Sequence, residues 1–305
     1  MPPLLMVEHL SISFTQYDRG THRRVLPAIR DLELTVERGQ VAAVVGSSGS
    51  GKSLLAHGIL GILPYNAHME GTLIYDGTPL TPERIAALRG REIVLVPQSV
   101  GYLDPLRKVG PQVGRDKGVV RSVLNRYGLG PETEGLYPFQ LSGGMARRVL
   151  ISTAVAASPA LVIADEPTPG LDARAAGRIL SHFRELANAG AGVLLITHDL
   201  ELALTIADKV AVFYAGETIE EAPAGDFARL DDLRHPYTRA LWRALPQHGF
   251  HPIPGTQPYP GSLPEGCPFA PRCPRRTRDC GGEVPYRPWS GGFVRCLHPE
   301  REGTA

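Results

Sequence analysis

Gly46-Ser47-Ser48-Gly49-Ser50-Gly51-Lys52-Ser53 fits the phosphate-binding pattern G-x-x-x-x-G-K-[ST] and carries the most specific chemistry in the sequence. The glycines permit backbone angles closed to other residues and keep side chains from holding the main chain away from a phosphate. Successive N–H groups can then turn inward as an anion nest, backed by a helix starting near Gly51. Lys52 has the reach for β- and γ-phosphates, and the Ser53 hydroxyl suits Mg²⁺. A Gly/Ser-rich surface loop can fit the pattern by accident. Here the apolar run VAAVV at 41–45 precedes it as a strand buried on both faces, and Leu54-Leu55-Ala56 follows as helix. The stretch therefore reads as a nucleoside triphosphate site.

A second chemical signal is the apolar strand Leu161-Val162-Ile163-Ala164 ending in Asp165-Glu166. At the carboxyl end of a parallel strand, Asp165 can support Mg²⁺ through its water shell. Glu166 is placed to act as general base toward an attacking water. Gln98 ends the strand at 93–96, and His198 follows the strand at 193–196.

The stretch Leu141-Ser142-Gly143-Gly144-Met145 separates this chain from other phosphate-loop proteins. The Ser142 hydroxyl and the glycine N–H groups at a helix start form a second anion site. Here the chain resembles the ATP-binding cassette (ABC) family of transporter ATPases, whose signature is L-S-G-G-Q. The resemblance covers roughly residues 4 to 300, with Met145 in place of the glutamine. It implies ATP and Mg²⁺ as ligands, and a signature (Ser142, Gly143, Gly144) that closes on the γ-phosphate held by the phosphate loop of a second cassette. It further implies that Gln98 touches metal and water, that His198 meets the γ-phosphate, and that Ser53, Gln98 and Asp165 serve Mg²⁺. Asp172 matches the family's S-A-L-D turn, here written Pro169-Gly170-Leu171-Asp172. Phe14, with Tyr17 as the alternative, corresponds to the aromatic that stacks on adenine.

Tyr137-Pro138-Phe139-Gln140, Arg147-Arg148 and His235-Pro236-Tyr237-Thr238 resemble the ATPase subunits of oligopeptide, dipeptide and nickel importers. That branch implies a second ATPase subunit, identical or paralogous, two transmembrane permease subunits, and a solute-binding protein reached through the permease. It places the chain at the cytoplasmic face of the inner membrane as a peripheral subunit. The competing readings are a soluble ABC-type ATPase acting on nucleic acid or ribosomes, and a redox-responsive interaction protein. The formal net charge of +1 gives the nucleic-acid reading no support.

Cys267, Cys273, Cys280 and Cys296 are the four cysteines of the chain, at spacings C-x5-C-x6-C-x15-C. Disulfides are disfavoured in a cytoplasmic protein, so gathered thiols suggest a metal site. The C-x2-C knuckles typical of structural zinc are missing. A [4Fe–4S] cluster, with nearby arginines offsetting its charge, a Zn²⁺ site, and free thiols all remain open. The peptide-importer branch commonly carries such a tail.

The elements that must position these groups follow from periodicity. Alternation at 4–14 and 31–36 gives two strands around a polar loop at 17–24, a small antiparallel start. Asp76-Gly77 makes a turn after a strand at 71–75, and Thr81-Pro82-Glu83 starts a helix. Residues 99–118 lack periodicity and read as an adaptable loop, followed by helices at 119–127 and 141–157. Strands at 161–164, 193–196 and 210–214 then alternate with helices at 172–189 and 200–207. That order gives an α/β, RecA-like phosphate-loop core with a mostly parallel sheet. The expected domains are a nucleotide-binding unit at 1–232, with a helical signature subdomain at about 99–157, and a Pro/Cys-rich tail at 233–305. A length of 305 residues, 43% hydrophobic and 21% charged, supports a soluble globular protein with a large core. No apolar run reaches membrane-spanning length, and no signal-like segment stands at the start.

Overall fold

The computed structural model describes residues 2–18, 22–47 and 49–300. Two long strands, β1 (Leu5–Asp18) and β2 (His22–Val36), pair as an antiparallel ribbon in which Phe14 faces Leu26. The strand β3 (Val41–Gly46) is buried at every position and runs into α1 (Lys52–Ile59). β4 (Ala67–Tyr75) and β5 (Thr78–Pro79) complete a four-stranded antiparallel sheet in the order β2-β1-β4-β5. α2 (Pro82–Leu88) starts where Thr81 accepts a hydrogen bond from the Arg84 amide, with Pro82 at its first position.

After β6 (Ile93–Val96) come α3 (Val109–Val113), α4 (Lys117–Arg126) and α5 (Gly143–Val155). Leu103, Val109, Val113, Val120, Leu124, Leu129, Val149 and Leu150 form a small core of their own, which makes these helices one unit. The core of α/β alternation then follows as β7 (Leu161–Asp165), α6 (Ala173–Asn188), β8 (Gly192–Thr197), α7 (Leu200–Leu204) and β9 (Lys209–Tyr214). Strands β9-β3-β8-β7-β6 are parallel neighbours, and α6 presents Ala176, Ile179, Leu180, Phe183 and Ala187 to them at helical spacing. The chain ends through β10 (Glu217–Pro223), α8 (Pro236–Arg243), β11 (Tyr286–Trp289) and β12 (Gly292–Arg295).

Four expectations change. The polar segment at 17–24 is mostly strand, because cross-strand pairing carries β1 and β2 to the Asp18–His22 rung. The segment at 99–118 contains α3, whose Val109, Gly110 and Val113 are buried although its sequence lacks a helical period. α7 stops at Leu204, three residues early. The compositional change near residue 232 is not a break in packing. β12 pairs with β10, so the large sheet runs β11-β12-β10-β9-β3-β8-β7-β6 across it. Phe269 packs edge-on against Tyr214 and Tyr237, 5.4 and 5.3 Å between ring centres. The fully buried Arg234 binds Glu220 at 3.2 Å and Asp226 at 2.7 Å, and donates to the Trp289 carbonyl at 2.8 Å.

Candidate active site

The phosphate loop leaves the carboxyl end of β3 at the centre of the parallel sheet. Gly46 is forced there: a Cβ would lie 2.3 Å from the Phe213 carbonyl of β9. Gly49 (φ 79°) and Gly51 (φ 92°) adopt left-handed conformations, Gly51 at the N-terminus of α1. Ser48 lies outside the described residues. The Lys52 ammonium donates to the carbonyls of Gly46 at 2.8 Å and Ser47 at 3.0 Å. One of its three protons is thus left for a phosphate oxygen. Burial lowers the Lys52 pKa, while Glu166 and Asp165 act to raise it.

Asp165 and Glu166 stand where the sequence places them, at the end of β7, and both are buried. Burial raises the Asp165 pKa, against the pull of a hydrogen bond from Ser53. Asp165 Oδ1 and the hydroxyl of the buried Ser50 have no protein partner. Orphaned oxygens beside a phosphate loop fit a hydrated Mg²⁺ and its phosphate. Glu166 has φ 46°, a strained conformation for a residue with a side chain, and its amide donates to the Ile196 carbonyl at 2.8 Å. Its carboxylate meets His198 Nδ1 at 2.9 and 3.0 Å and accepts from Thr197 Oγ1 at 3.3 Å. Glu166 and His198 are therefore held together within one chain.

One cavity of about 390 Å³ is lined by Gly49, Gly51, Lys52, Ser53, Gln98 and Glu166, together with Ala28, Leu54 and Pro260. The phosphate loop, Gln98 and Glu166 converge there. The signature does not line this cavity. Ser142 caps α5 by accepting from the Met145 amide at 3.3 Å, with Gly143 beside it and Gly144 close to Leu171. Asp172 caps α6, accepting from the Ala175 amide at 2.8 Å. Phe14 is half-buried against the core beneath the small sheet, while Tyr17 is 65% exposed and lies under Arg23.

Sequence reasoning noted Arg147 only as a mark of the branch, without a place in the site, and did not single out Gln257 or Pro260. Arg147 is buried on α5, donates to the Pro97 carbonyl at 2.9 Å, and feels Glu166 electrostatically. Its position beside the signature was visible, but nothing in the sequence pointed it inward. Gln257 Oε1 accepts from the Ser47 hydroxyl across 210 positions of sequence, a contact no local pattern encodes.

The four cysteines are free thiols, and all four line one small cavity together with His235, Ala270, Val284 and His298. Burial pushes Cys267 up to about 12 and Cys296 to about 11, and raises Cys273 as well. Without a cation these groups stay protonated at neutral pH; a bound metal would convert them to thiolates. Among the described residues, no three of their sulfurs lie within 4.8 Å of one another. A tetrahedral zinc with bonds of about 2.3 Å needs sulfurs about 3.8 Å apart.

Residues 29–169 match the family model for ABC transporters, and residues 219–280 match the model for the C-terminal region of oligopeptide/dipeptide transporters. The dipeptide transport ATP-binding protein of Bacillus subtilis is 36% identical over 93% of this chain and 91% of its own length. The chain belongs to the ABC transporter ATPases. An oligopeptide transport ATP-binding protein of Salmonella typhimurium is 34% identical over 98% of this ABC chain and 95% of its own length. One of Mycobacterium tuberculosis is 37% identical over 92% of the chain, which spans only about half (49%) of that relative. Among solved structures, a dimeric cassette in a post-hydrolysis state bound to ADP and phosphate is 25% identical, with a TM-score of 0.62 over 72% of this chain and 98% of that one. The cassette cbiO1 of Clostridium perfringens is 26% identical, with a TM-score of 0.60 over 75% and 92%. Among the described residues, no helix is long and apolar enough to cross a membrane.

Proposed function

We propose that this chain is the ATP-hydrolysing motor of an importer for oligopeptides, dipeptides or related small solutes, nickel complexes included. One observation carries the reading: phosphate loop, Glu166, His198 and Gln98 converge at one end of the sheet, while Ser142–Gly144 stands outside their cavity. The unused anion site calls for a second cassette, identical or paralogous, facing the first. Lys52 and the loop amides bind the β- and γ-phosphates; Ser53 and Asp165 would hold Mg²⁺, which would supply charge neutralisation at the phosphates. Glu166 accepts a proton from the attacking water, and the His198 contact orients its carboxylate. The γ-phosphate is gripped from both cassettes, so its loss removes the contact that favours closure.

Exposed Val100, Tyr102, Leu106 and Phe139 sit on the helical unit entered through Gln98 and support docking onto a membrane permease there. A pair of permease subunits and a solute-binding protein would complete the assembly on the inner face of the membrane. The cavity shared by all four thiols supports a [4Fe–4S] cluster held by Cys267, Cys273, Cys280 and Cys296, with Zn²⁺ as the alternative. A cluster would supply a covalent staple to a stretch rich in proline and glycine.

Crossed lesions test the motor. Ser142→Arg puts a bulky cation where the partner's γ-phosphate must approach, and Lys52→Ala weakens phosphate binding. Placed on opposite chains of a dimer, the two should spoil one site and leave the other with about half of the activity. Loss of both sites would sink the crossed arrangement.

A further inference from the structure

The segment at 253–262 reaches the phosphate loop from the far end of the chain. Gln257 accepts the Ser47 hydroxyl hydrogen, and Pro260 helps to wall the cavity that holds Lys52, Ser53 and Glu166. The segment is fastened at both ends. Arg272 donates to the carbonyls of Ile253 at 3.1 Å and Pro254 at 2.7 Å, and Arg24 of β2 donates to the Gly261 carbonyl at 2.8 Å. Gly261 lies close against this anchor, where a Cβ would meet Arg24 Nη2 at 2.3 Å and the side chain would have to shift. Prolines at 252, 254, 258 and 260 restrict the backbone between the anchors.

Its direction identifies what it meets. Phosphates bind at the N-terminus of α1, with the γ end toward Gln98 and Glu166. Ala28, Gly49 and Pro260 bound the same cavity on the side of β2. Along β2 the strap passes Arg24, next to the Leu26 rung opposite Phe14. The remainder of a nucleotide must leave the phosphate loop through this space.

We propose that residues 257–260 belong to the nucleotide site, with Gln257 and Pro260 contacting the nucleoside half of bound nucleotide and retaining it. The inference rests on the phosphate loop binding ATP, as proposed above. Calorimetric titration with Mg·ADP, which avoids hydrolysis, tests it alongside Mg·pyrophosphate, which lacks the nucleoside. Gln257→Ala and Pro260→Gly should each weaken ADP about 5-fold or more and leave pyrophosphate unchanged. Unchanged or tighter ADP binding would overturn the proposal. An equal loss for both ligands would too, because the strap would then only brace the loop. Hydrogen exchange on the unmodified chain provides a second arm that does not depend on the variants folding. Amides at 257, 259, 261 and 262 should slow when ADP binds, and unaltered exchange there would refute the contact. A wild-type chain that binds no Mg·ADP would instead remove the nucleotide reading itself.

Discussion

Glu166 shows how much one residue's surroundings decide. Its backbone is held at φ 46° by the Ile196 hydrogen bond, and its carboxylate by His198 and Thr197. Glu166→Gln keeps the shape but cannot take up a proton. Mg·ATP binding should survive while turnover falls about 100-fold or more; phosphate release measured beside nucleotide binding checks both, and near-normal turnover would remove Glu166 from its role. His235 carries a pH effect. Burial pushes it down to about 3, and its Nδ1 accepts from the Tyr237 amide at 3.0 Å, so the folded state holds it neutral. Between about pH 6.5 and 3 the unfolded chain binds the extra proton, so stability falls as the solution is acidified. From pH 6.5 to 5 the loss is about 1.6 kcal/mol. Denaturant titrations at the two values measure it, and His235→Gln should flatten the slope.

At the scale of elements, α5 joins the signature to the strand end that carries Gln98. Ser142 starts the helix, and Arg147, one and a half turns on, holds the Pro97 carbonyl beside Gln98. Burial lowers the Arg147 pKa, yet an arginine keeps its charge, so a cation sits inside near Glu166. Arg147→Met fills the space without the donor and leaves a buried carbonyl unpaired. We expect a stability loss of about 1–3 kcal/mol. Maximal hydrolysis should fall with little change in ATP affinity, because no part of the phosphate loop moves. Thermal unfolding and a split of kcat from KM test this. A change confined to KM would place Arg147 in binding instead.

At the scale of the molecule, the tail is built into the sheet by β12, and Phe269 is buried in the same core as the parallel strands. The cysteine cavity sits on that junction. With the proposed cluster bound, Cys273→Ser should lower the iron content of anaerobically purified protein and bleach absorption at about 400 nm. It should also loosen residues 260–300 to proteolysis. Nucleotide binding should fall together with hydrolysis, because Arg272, next to Cys273, anchors the strap that meets Ser47. About one zinc per chain without iron would replace the cluster, and neither metal would leave thiols.

Where chemistry is local in sequence, the chain could be read directly. The Ser142 cap, the passage of the phosphate loop into α1 and the strand–helix alternation depend on near neighbours, and short-range stereochemistry determines them. The backbone and carboxylate of Glu166 are instead held from the end of β8. The long β1–β2 ribbon was understated, because polar residues at 17–24 pair through backbone atoms that no side-chain pattern records. The same holds for α3, whose buried face is set by Glu134 and Leu136 packing from another segment. Only the tertiary structure decided that the tail completes the main sheet, that Arg147 turns inward, and that Gln257 meets Ser47. Each is a contact between groups far apart along the chain. Such contacts are chosen by which surfaces are left to cover once the sheet has formed, a quantity that no local pattern contains.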